Sequence, residues 1–372
     1  MGKKRTHLDD YKNRNKQKVF NAILEHGQIS RTNIAKETSL SSSAVTLIVD
    51  ELISQNIIKE TGIKSYTGGR AQKLLSINEK LGSNISFYLE RDFLIAGKVS
   101  AFTKIEDLIT LDTKHMTLEE YLFTLSDIYK KWKKEKIFSV SIGVRSPKDF
   151  KNKRISISTS ISTDYITINE ALKFIFDIPV IVERAANLAA LGEYRFASGK
   201  KNICYLNLNH EIQLGAYPFI PEEHVAHMKV DQHGDVCTCG KTGCLNTFVS
   251  SEVVLKKIKN KKKDSSLTWS TITQAYNSND AEISKIVDEV AQYLSMGIVN
   301  ISTIFNPDLF FLGGDVCQLG KKFEEKLTKS LLNFVYYGLK DLQVKLSRLD
   351  KKNVLIGGAR NFLLNLFQQG AD

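Results

Sequence analysis

The densest chemistry in the chain lies between residues 227 and 244. Three of its five cysteines, Cys237, Cys239 and Cys244, fall within eight residues, and His227 precedes the first by ten. Thiolate sulfur and imidazole nitrogen are the donors that tetrahedral zinc prefers, and a closed set of four leaves no open position for a substrate. Gly240 and Gly243 lie inside the Cys239 to Cys244 loop, where a short chain folding back on an ion needs positive φ. The reading is one structural zinc site held by His227, Cys237, Cys239 and Cys244. His224 and His233 stand close enough in sequence to be alternative imidazole donors. A structural metal stabilises such a loop because binding is coupled to folding.

The remaining thiols, Cys204 and Cys317, are far apart in apolar surroundings and read as core residues. That usage fits a reducing compartment better than a disulfide framework. The first ten residues lack the apolar stretch of a signal peptide, and no apolar run approaches the roughly 18–20 residues that span a bilayer. A cytoplasmic protein is expected. At 372 residues, 42% of them apolar and 25% charged, the chain is long enough for more than one globular domain. The net charge of +11 is unevenly spread: residues 1–80 hold 14 basic and 8 acidic side chains, so a fifth of the length carries over half of the excess. Such asymmetry points to nucleic acid as the partner of that segment.

The elements of this segment support that. A helical pattern runs from about Tyr11 to His26, with Val19, Phe20, Ile23 and Leu24 on one face, and stops at Gly27. Ser30 can cap a short helix through Thr38, and a tight turn at Ser39 and Leu40 leads to a second helix over Ser41 to Ile53. Its Val45, Ile48, Val49 and Leu52 follow the i, i+3, i+4, i+7 rule and face inward, which leaves Ser42, Ser43, Thr46 and Leu47 on the opposite face. Two short helices, the second with a small polar leading edge, form a DNA-reading motif. Ile57–Glu60 and Leu74–Ile77 read as paired strands around Gly62 to Lys73, a basic, glycine-bearing hairpin that serves as a wing. The candidate DNA contacts are Arg31, Ser41, Ser42, Ser43 and Thr46 from the helices and Gly69 and Arg70 from the wing. Serine and threonine pair with almost any base, so no operator sequence follows. A helical bundle used for packing or dimerisation is the alternative.

Beyond residue 80, strands and helices alternate, which indicates an α/β body in two lobes. Ile85 to Val99 reads as a hairpin around Glu90, Arg91 and Asp92. Phe138–Val144, Val180–Glu183, Ile203–Leu208 and Leu309–Leu312 read as strands, with a helix from Ala185 to Glu193. Lys130 to Lys136 is a solvated helix end, and the basic run Lys256 to Lys263 an exposed loop. A last strand, Val354–Ile356, is expected to meet Gly357 and Gly358 before a closing helix.

On Ser30-Arg31 through Ser41, the wing Gly68-Gly69-Arg70, Ala186-Asn187 through Gly192-Glu193, Asn306-Pro307 leading to Gly313-Gly314 and, above all, the zinc loop, the chain resembles the ROK family of repressors and sugar kinases. It is similar to the branch with an N-terminal winged helix-turn-helix, the xylose and N-acetylglucosamine repressor type, over nearly its whole length. The resemblance implies a winged helix-turn-helix in residues 1–80. It implies a two-lobed actin-like, ribonuclease-H-like sugar-kinase fold in 81–372, with the zinc loop at 227–244. A sugar would lie between the lobes of that body. It further implies a homodimer or homotetramer that binds operator DNA and releases it on a signal.

Several residues depart from the kinase members. Their glycine-rich Asp-x-Gly-Gly-Thr loop corresponds to Tyr88-Leu89-Glu90-Arg91-Asp92, and their second phosphate loop to Asn209-His210-Glu211-Ile212-Gln213, where a glutamate would repel a triphosphate. The acid that would act as general base corresponds to Ala185, which cannot accept a proton. Sugar-contacting positions correspond to Arg184, His224 and Asn246. With Asn187 these form the candidate effector cleft; Arg184 and His224 suit an anionic ligand such as a sugar phosphate, unless Arg184 is paired with Glu183 or Glu193 as structure. The expectation is a non-enzymatic, DNA-binding regulator of carbohydrate-related genes, most simply a repressor, with a structural zinc ion. A zinc-stabilised interaction protein that uses the helix-turn-helix for oligomerisation is the alternative; an active sugar kinase is disfavoured.

Overall fold

The structure, a computed structural model, describes residues 7–64, 72–90, 92–158, 163–197, 199–221, 224–336, 339 and 341–367. The chain divides into two compact units. The first comprises Met1–Ile142, Asp149–Val182 and Gly358–Asp372, the second Gly143–Lys148 and Glu183–Gly357.

In the first unit, helix α1 (His7–His26) ends at Gly27, whose φ of 69° lets its N–H reach the Ile23 carbonyl at 2.9 Å. Strand β1 (Ile29–Ser30) leads into α2 (Arg31–Thr38) and α3 (Ser42–Ser54). Strands β2 (Ile58–Lys64) and β3 (Gln72–Ile77) form an antiparallel hairpin, and β1 adds to β3 to give the order β1-β3-β2. Phe20, Ile23, Ile34, Val45, Val49, Leu52 and Leu75 fill the core between helices and sheet, all fully buried. This core is not closed at residue 80. Ala101 and Leu363 belong to it, and Phe138, Leu364 and Phe367 pack against it.

The chain continues into β4 (Ser83–Leu89), β5 (Phe93–Ser100) and β6 (Ile105–Asp112), an antiparallel meander. A Thr117–Glu120 capping box opens α4 (Leu118–Trp132). Strand β7 (Ile137–Val144), helix α5 (Pro147–Asn152), the hairpin β8 (Arg154–Ser158) and β9 (Thr163–Thr167), helix α6 (Ile168–Ile175) and strand β10 (Val180–Arg184) follow. The five-stranded sheet runs β10-β7-β4-β5-β6. The sequence reading missed β6 because, at the sheet edge, its Glu106, Asp107 and Leu108 are all exposed and interrupt the apolar alternation.

In the second unit, helix α7 (Ala185–Glu193) is buried along its whole length. It packs on β11 (Ile203–Asn207) and β12 (Gln213–Tyr217). The metal-ligating loop and then α8 (Asn246–Val249), α9 (Ser251–Lys262), α10 (Trp269–Asn277) and the 25-residue α11 (Ala281–Phe305) follow. Strand β13 (Leu309–Gly313), helix α12 (Gly320–Leu331), strand β14 (Gln343–Leu346) and helix α13 (Lys352–Leu364) complete it, α13 ending among the residues of the first unit. The sheet order is β12-β11-β13-β14, with β11 antiparallel to β12 and parallel to β13. Val287, Ala291, Leu294, Ile298 and Ile301 make α11 the centre of this core. No described helix is long and apolar enough to cross a membrane.

Two assignments change. Lys256 to Lys263 is not a loop: it is the second half of α9, because Val254 and Ile258, four apart, are buried at 1% and 0% and give the helix an inner face. Val354–Ile356 is helical, and the last strand is β14. Gly357 and Gly192 instead mark a close approach of α13 and α7. A Cβ on Gly357 would lie 1.8 Å from the Leu188 carbonyl oxygen, and one on Gly192 would lie 2.1 Å from that of Asn353. Short apolar runs do not by themselves distinguish strand from buried helix.

Candidate nucleic-acid interface and metal centre

Helix α3 has two unlike sides. Ser41 caps it, its Oγ accepting from the Ala44 N–H at 3.2 Å, and Val45, Val49 and Leu52 are fully buried beneath. Ser41, Ser42, Ser43, Thr46 and Leu47 are exposed on the other side, Leu47 at 72%. The hydroxyls are ordered among themselves: Ser41 and Ser43 lie 3.1 Å apart, and Thr46 donates to the Ser42 carbonyl at 2.8 Å. Arg31, on α2, has a second use. It donates to Asp50 at 2.8 Å and, at 3.4 Å, to Glu60 and the Thr46 carbonyl, so it braces α2, α3 and β2. Lys73, ahead of Arg31, holds the Glu60 carboxyl below its ordinary range. Gly69 and Arg70 lie outside the described residues.

The predicted donors come together. Ligand atoms of His227, Cys237, Cys239 and Cys244 all lie within 4.8 Å of one another, and neither His224 nor His233 belongs to the set. Four ligands on one tetrahedral ion with zinc's bond lengths stand about 3.8 Å apart sulfur to sulfur and about 3.6 Å sulfur to nitrogen. Here Cys239 Sγ and Cys244 Sγ are 3.7 Å apart, and Cys237 Sγ lies 3.5 Å from His227 Nδ1. The residues therefore fit a tetrahedral, thiolate-binding ion. The backbone shapes the cradle through Cys237 N–H to Lys241 O at 2.7 Å and Gly240 N–H to Cys237 O at 2.8 Å. Gly240 and Gly243 adopt φ of 79° and 71°. The thiols crowd one another: burial and the neighbouring sulfurs push Cys244 up to about 11, whereas the Lys241 backbone N–H leads the groups that draw Cys239 down.

The candidate cleft residues are engaged by the protein itself. Arg184, 5% exposed, donates from its guanidinium to the carbonyls of Pro221 at 2.8 Å and Leu214 at 2.9 Å. Asn187 donates to the Ile220 carbonyl and accepts from the Ala216 N–H. Asn246 accepts from the Ile212 N–H at 2.9 Å. His224 is exposed. Glu183 receives the Arg184 backbone N–H at 2.7 Å, and Glu193 is bonded to Ser347 and Asn353. Ala185 is buried at the start of α7.

The turn between β11 and β12 is tied down on every side. Asn209 accepts from the Asp315 N–H, His210 pairs with Glu252, and Glu211 pairs with Arg145 and approaches His227. Arg145 and Glu211 are the site residues that sequence reasoning missed, because no local spacing links them to the metal loop. The one available signal was a glutamate where the family resemblance implies glycine.

The ROK family's sequence pattern matches residues 98–363, and a winged helix-turn-helix DNA-binding pattern matches residues 12–59. The chain belongs to the ROK family. It is 28% identical to the xylose repressor of Caldicellulosiruptor bescii over 379 residues, covering 92% of this chain and 94% of the relative. Its fold is similar to that of a ROK family transcriptional regulator described as a homologue of the E. coli MLC protein, at TM-score 0.76 and 19% identity over 96% of both chains. A ROK hexokinase from Thermus thermophilus shares the fold at TM-score 0.62 and 18% identity, over 75% of this chain and 97% of the enzyme. Regulators and kinases thus share this body, and chemistry is decided by residues rather than by fold.

Proposed function

We propose that this ROK family member is a DNA-binding transcriptional repressor of carbohydrate-related genes, acting as a homo-oligomer in the cytoplasm, with a body that transfers no phosphate. One observation carries the reading: α3 presents Ser42, Ser43 and Thr46 to solvent while Val45, Val49 and Leu52 are buried and Ile48 is half-buried. That is the disposition of a recognition helix, which needs a rigid inner face and a short polar edge for the major groove. Residues 1–80 form the reader and 81–372 the body, and the name of the xylose repressor relative supports sugar-related targets. Arg70 from the wing adds a phosphate or minor-groove contact.

Ala185 offers no proton acceptor for a sugar hydroxyl. The Asn209–Gln213 turn has no glycine, and its side chains are tied to Asp315, Glu252 and Arg145, so it offers no bare backbone N–H cradle to a phosphate. The His227, Cys237, Cys239 and Cys244 set holds a structural zinc ion; with four protein donors, the ion stabilises the loop and leaves no position for catalysis. Arg184, Asn187 and Asn246 are engaged with backbone groups, which weighs against a neutral sugar at these side chains and equally against an anion held by Arg184.

The deciding experiment is a gel shift on duplexes tiled across the promoters of its own and neighbouring genes, repeated over a range of salt. A specific shift whose logarithmic affinity falls linearly with log salt, at about 0.9 per phosphate contact, is expected. Arg70→Ala should reduce that slope by about one. No shift on any duplex would leave the helix-turn-helix as an oligomerisation module, and ADP release with any hexose would refute the inactive body.

A further inference from the structure

The metal loop ends at its four donors only if the far side of the histidine ring is ignored. His227 Nδ1 faces Cys237, so its Nε2 points away from the ion's position, and Glu211 Oε1 lies 3.7 Å from that nitrogen. Glu211 is itself held by an ion pair with Arg145 at the end of β7, and its side chain is only 18% exposed. Two other acids are engaged elsewhere: Asp231 accepts from Tyr293 Oη at 2.7 Å and the His233 N–H at 2.8 Å, and Glu252 pairs with His210.

A neutral imidazole that ligates through one nitrogen carries its proton on the other. That N–H needs an acceptor. A carboxylate there fixes the tautomer and ring orientation and raises the basicity of the ligating nitrogen, and losing such a partner typically weakens metal binding about 10–100-fold. The arginine aims the carboxylate, as a charge-assisted pair does.

We propose that Glu211 is the outer-sphere carboxylate of the metal loop, accepting the His227 Nε2 proton while Arg145 orients it. Metal loading thereby anchors the β11–β12 turn, since that turn carries Glu211. Glu211 is a positioning residue in this scheme; it acts through the ligating His227 and does not touch the ion. The inference rests on the structural zinc reading, and the test separates the two.

Zn2+ affinity of the full-length protein is measured by competition with a chromophoric chelator, and Co2+ substitution reports thiolate and imidazole ligation through its charge-transfer and d–d bands. Glu211→Ala is expected to weaken Zn2+ binding at least tenfold and to shift the Co2+ d–d bands while the metal-free melting temperature stays that of the wild type. Glu211→Gln, which keeps an acceptor oxygen without the charge, and Arg145→Ala are expected to lose a few-fold each; these also serve should the alanine variant fail to fold. Wild-type affinity within twofold in all three variants would overturn the inference and leave the zinc site standing. So would equal destabilisation of metal-free and metal-loaded protein, the signature of a plain structural clamp. A wild-type chain that binds no Zn2+ would overturn both readings, and Cys239→Ser marks that baseline.

Discussion

Gly240 and Gly243 provide a matched pair for testing the metal loop. Both adopt left-handed backbone, with φ of 79° and 71°, yet their surroundings differ. A Cβ on Gly240 meets nothing within 4 Å, whereas one on Gly243 lands 1.7 Å from the carbonyl oxygen of Asp231. Gly240→Ala therefore carries only the left-handed penalty, about 1–2 kcal/mol. In Gly243→Ala the overlap must open by roughly 2 Å to reach ordinary contact, and a methyl group has no torsion that could relieve it. Asp231 cannot withdraw freely, since Val230 N–H bonds the Gly243 carbonyl at 3.0 Å, Gly243 N–H bonds Asp235 O at 3.1 Å, and Tyr293 holds the Asp231 carboxylate. Losing those two backbone bonds adds about 1 kcal/mol each, so the expected total is about 3–4 kcal/mol. At about 2–4 °C per kcal/mol for a unit of this size, Gly240→Ala should lower the melting temperature by about 2–8 °C and Gly243→Ala by about 6–16 °C. Because Cys244 follows directly, Gly243→Ala should also lower the zinc content per chain, while Gly240→Ala keeps it. Circular-dichroism melts with and without chelator, paired with metal analysis, read both quantities. Equal melting temperatures and equal zinc content in the two variants would refute the packing of Gly243 on Asp231.

Two further expectations concern buried charge. Arg184→Ala leaves the Leu214 and Pro221 carbonyls without their donors and should cost about 2–5 kcal/mol, read from urea midpoints, with Arg184→Lys between; unchanged stability with loss of a ligand would make Arg184 a binding residue instead. Glu193, fully buried, has its carboxyl raised above the ordinary range by burial, against the bonds from Ser347 and Asn353. The native state therefore binds more protons than the unfolded chain, and the stabilisation is complete below the unfolded pKa and lost as pH rises through the folded one. Glu193→Gln should narrow the difference in melting temperature between pH 5 and pH 8 by raising the value at pH 8; superimposable pH profiles of the two proteins would refute a raised Glu193.

What was legible in the chain was what is local. Three cysteines within eight residues, and a helix whose Val45, Val49 and Leu52 recur at helical spacing, announce a ligand set and a buried face without knowledge of anything distant. The errors arise where a residue's meaning is set from afar. Val354–Ile356 before Gly357 carries the signature of a strand until Leu188 is known to lie against Gly357, and the lysines of α9 mask the buried Val254 and Ile258. Ionisable side chains were the least legible, because charge states a need and not a partner. Arg31, a candidate DNA contact, also bonds Asp50 and Glu60, and Arg184, open in sequence to an anion or a structural role, bonds two carbonyls. Glu211 follows the same rule: its charge, read alone, argues against a triphosphate, whereas its position beside Arg145 and His227 gives that charge a use. Asn209, His210 and Glu211 pair with Asp315, Glu252 and Arg145, and Glu211 approaches His227, so the side chains of this turn meet partners that only the fold brings near.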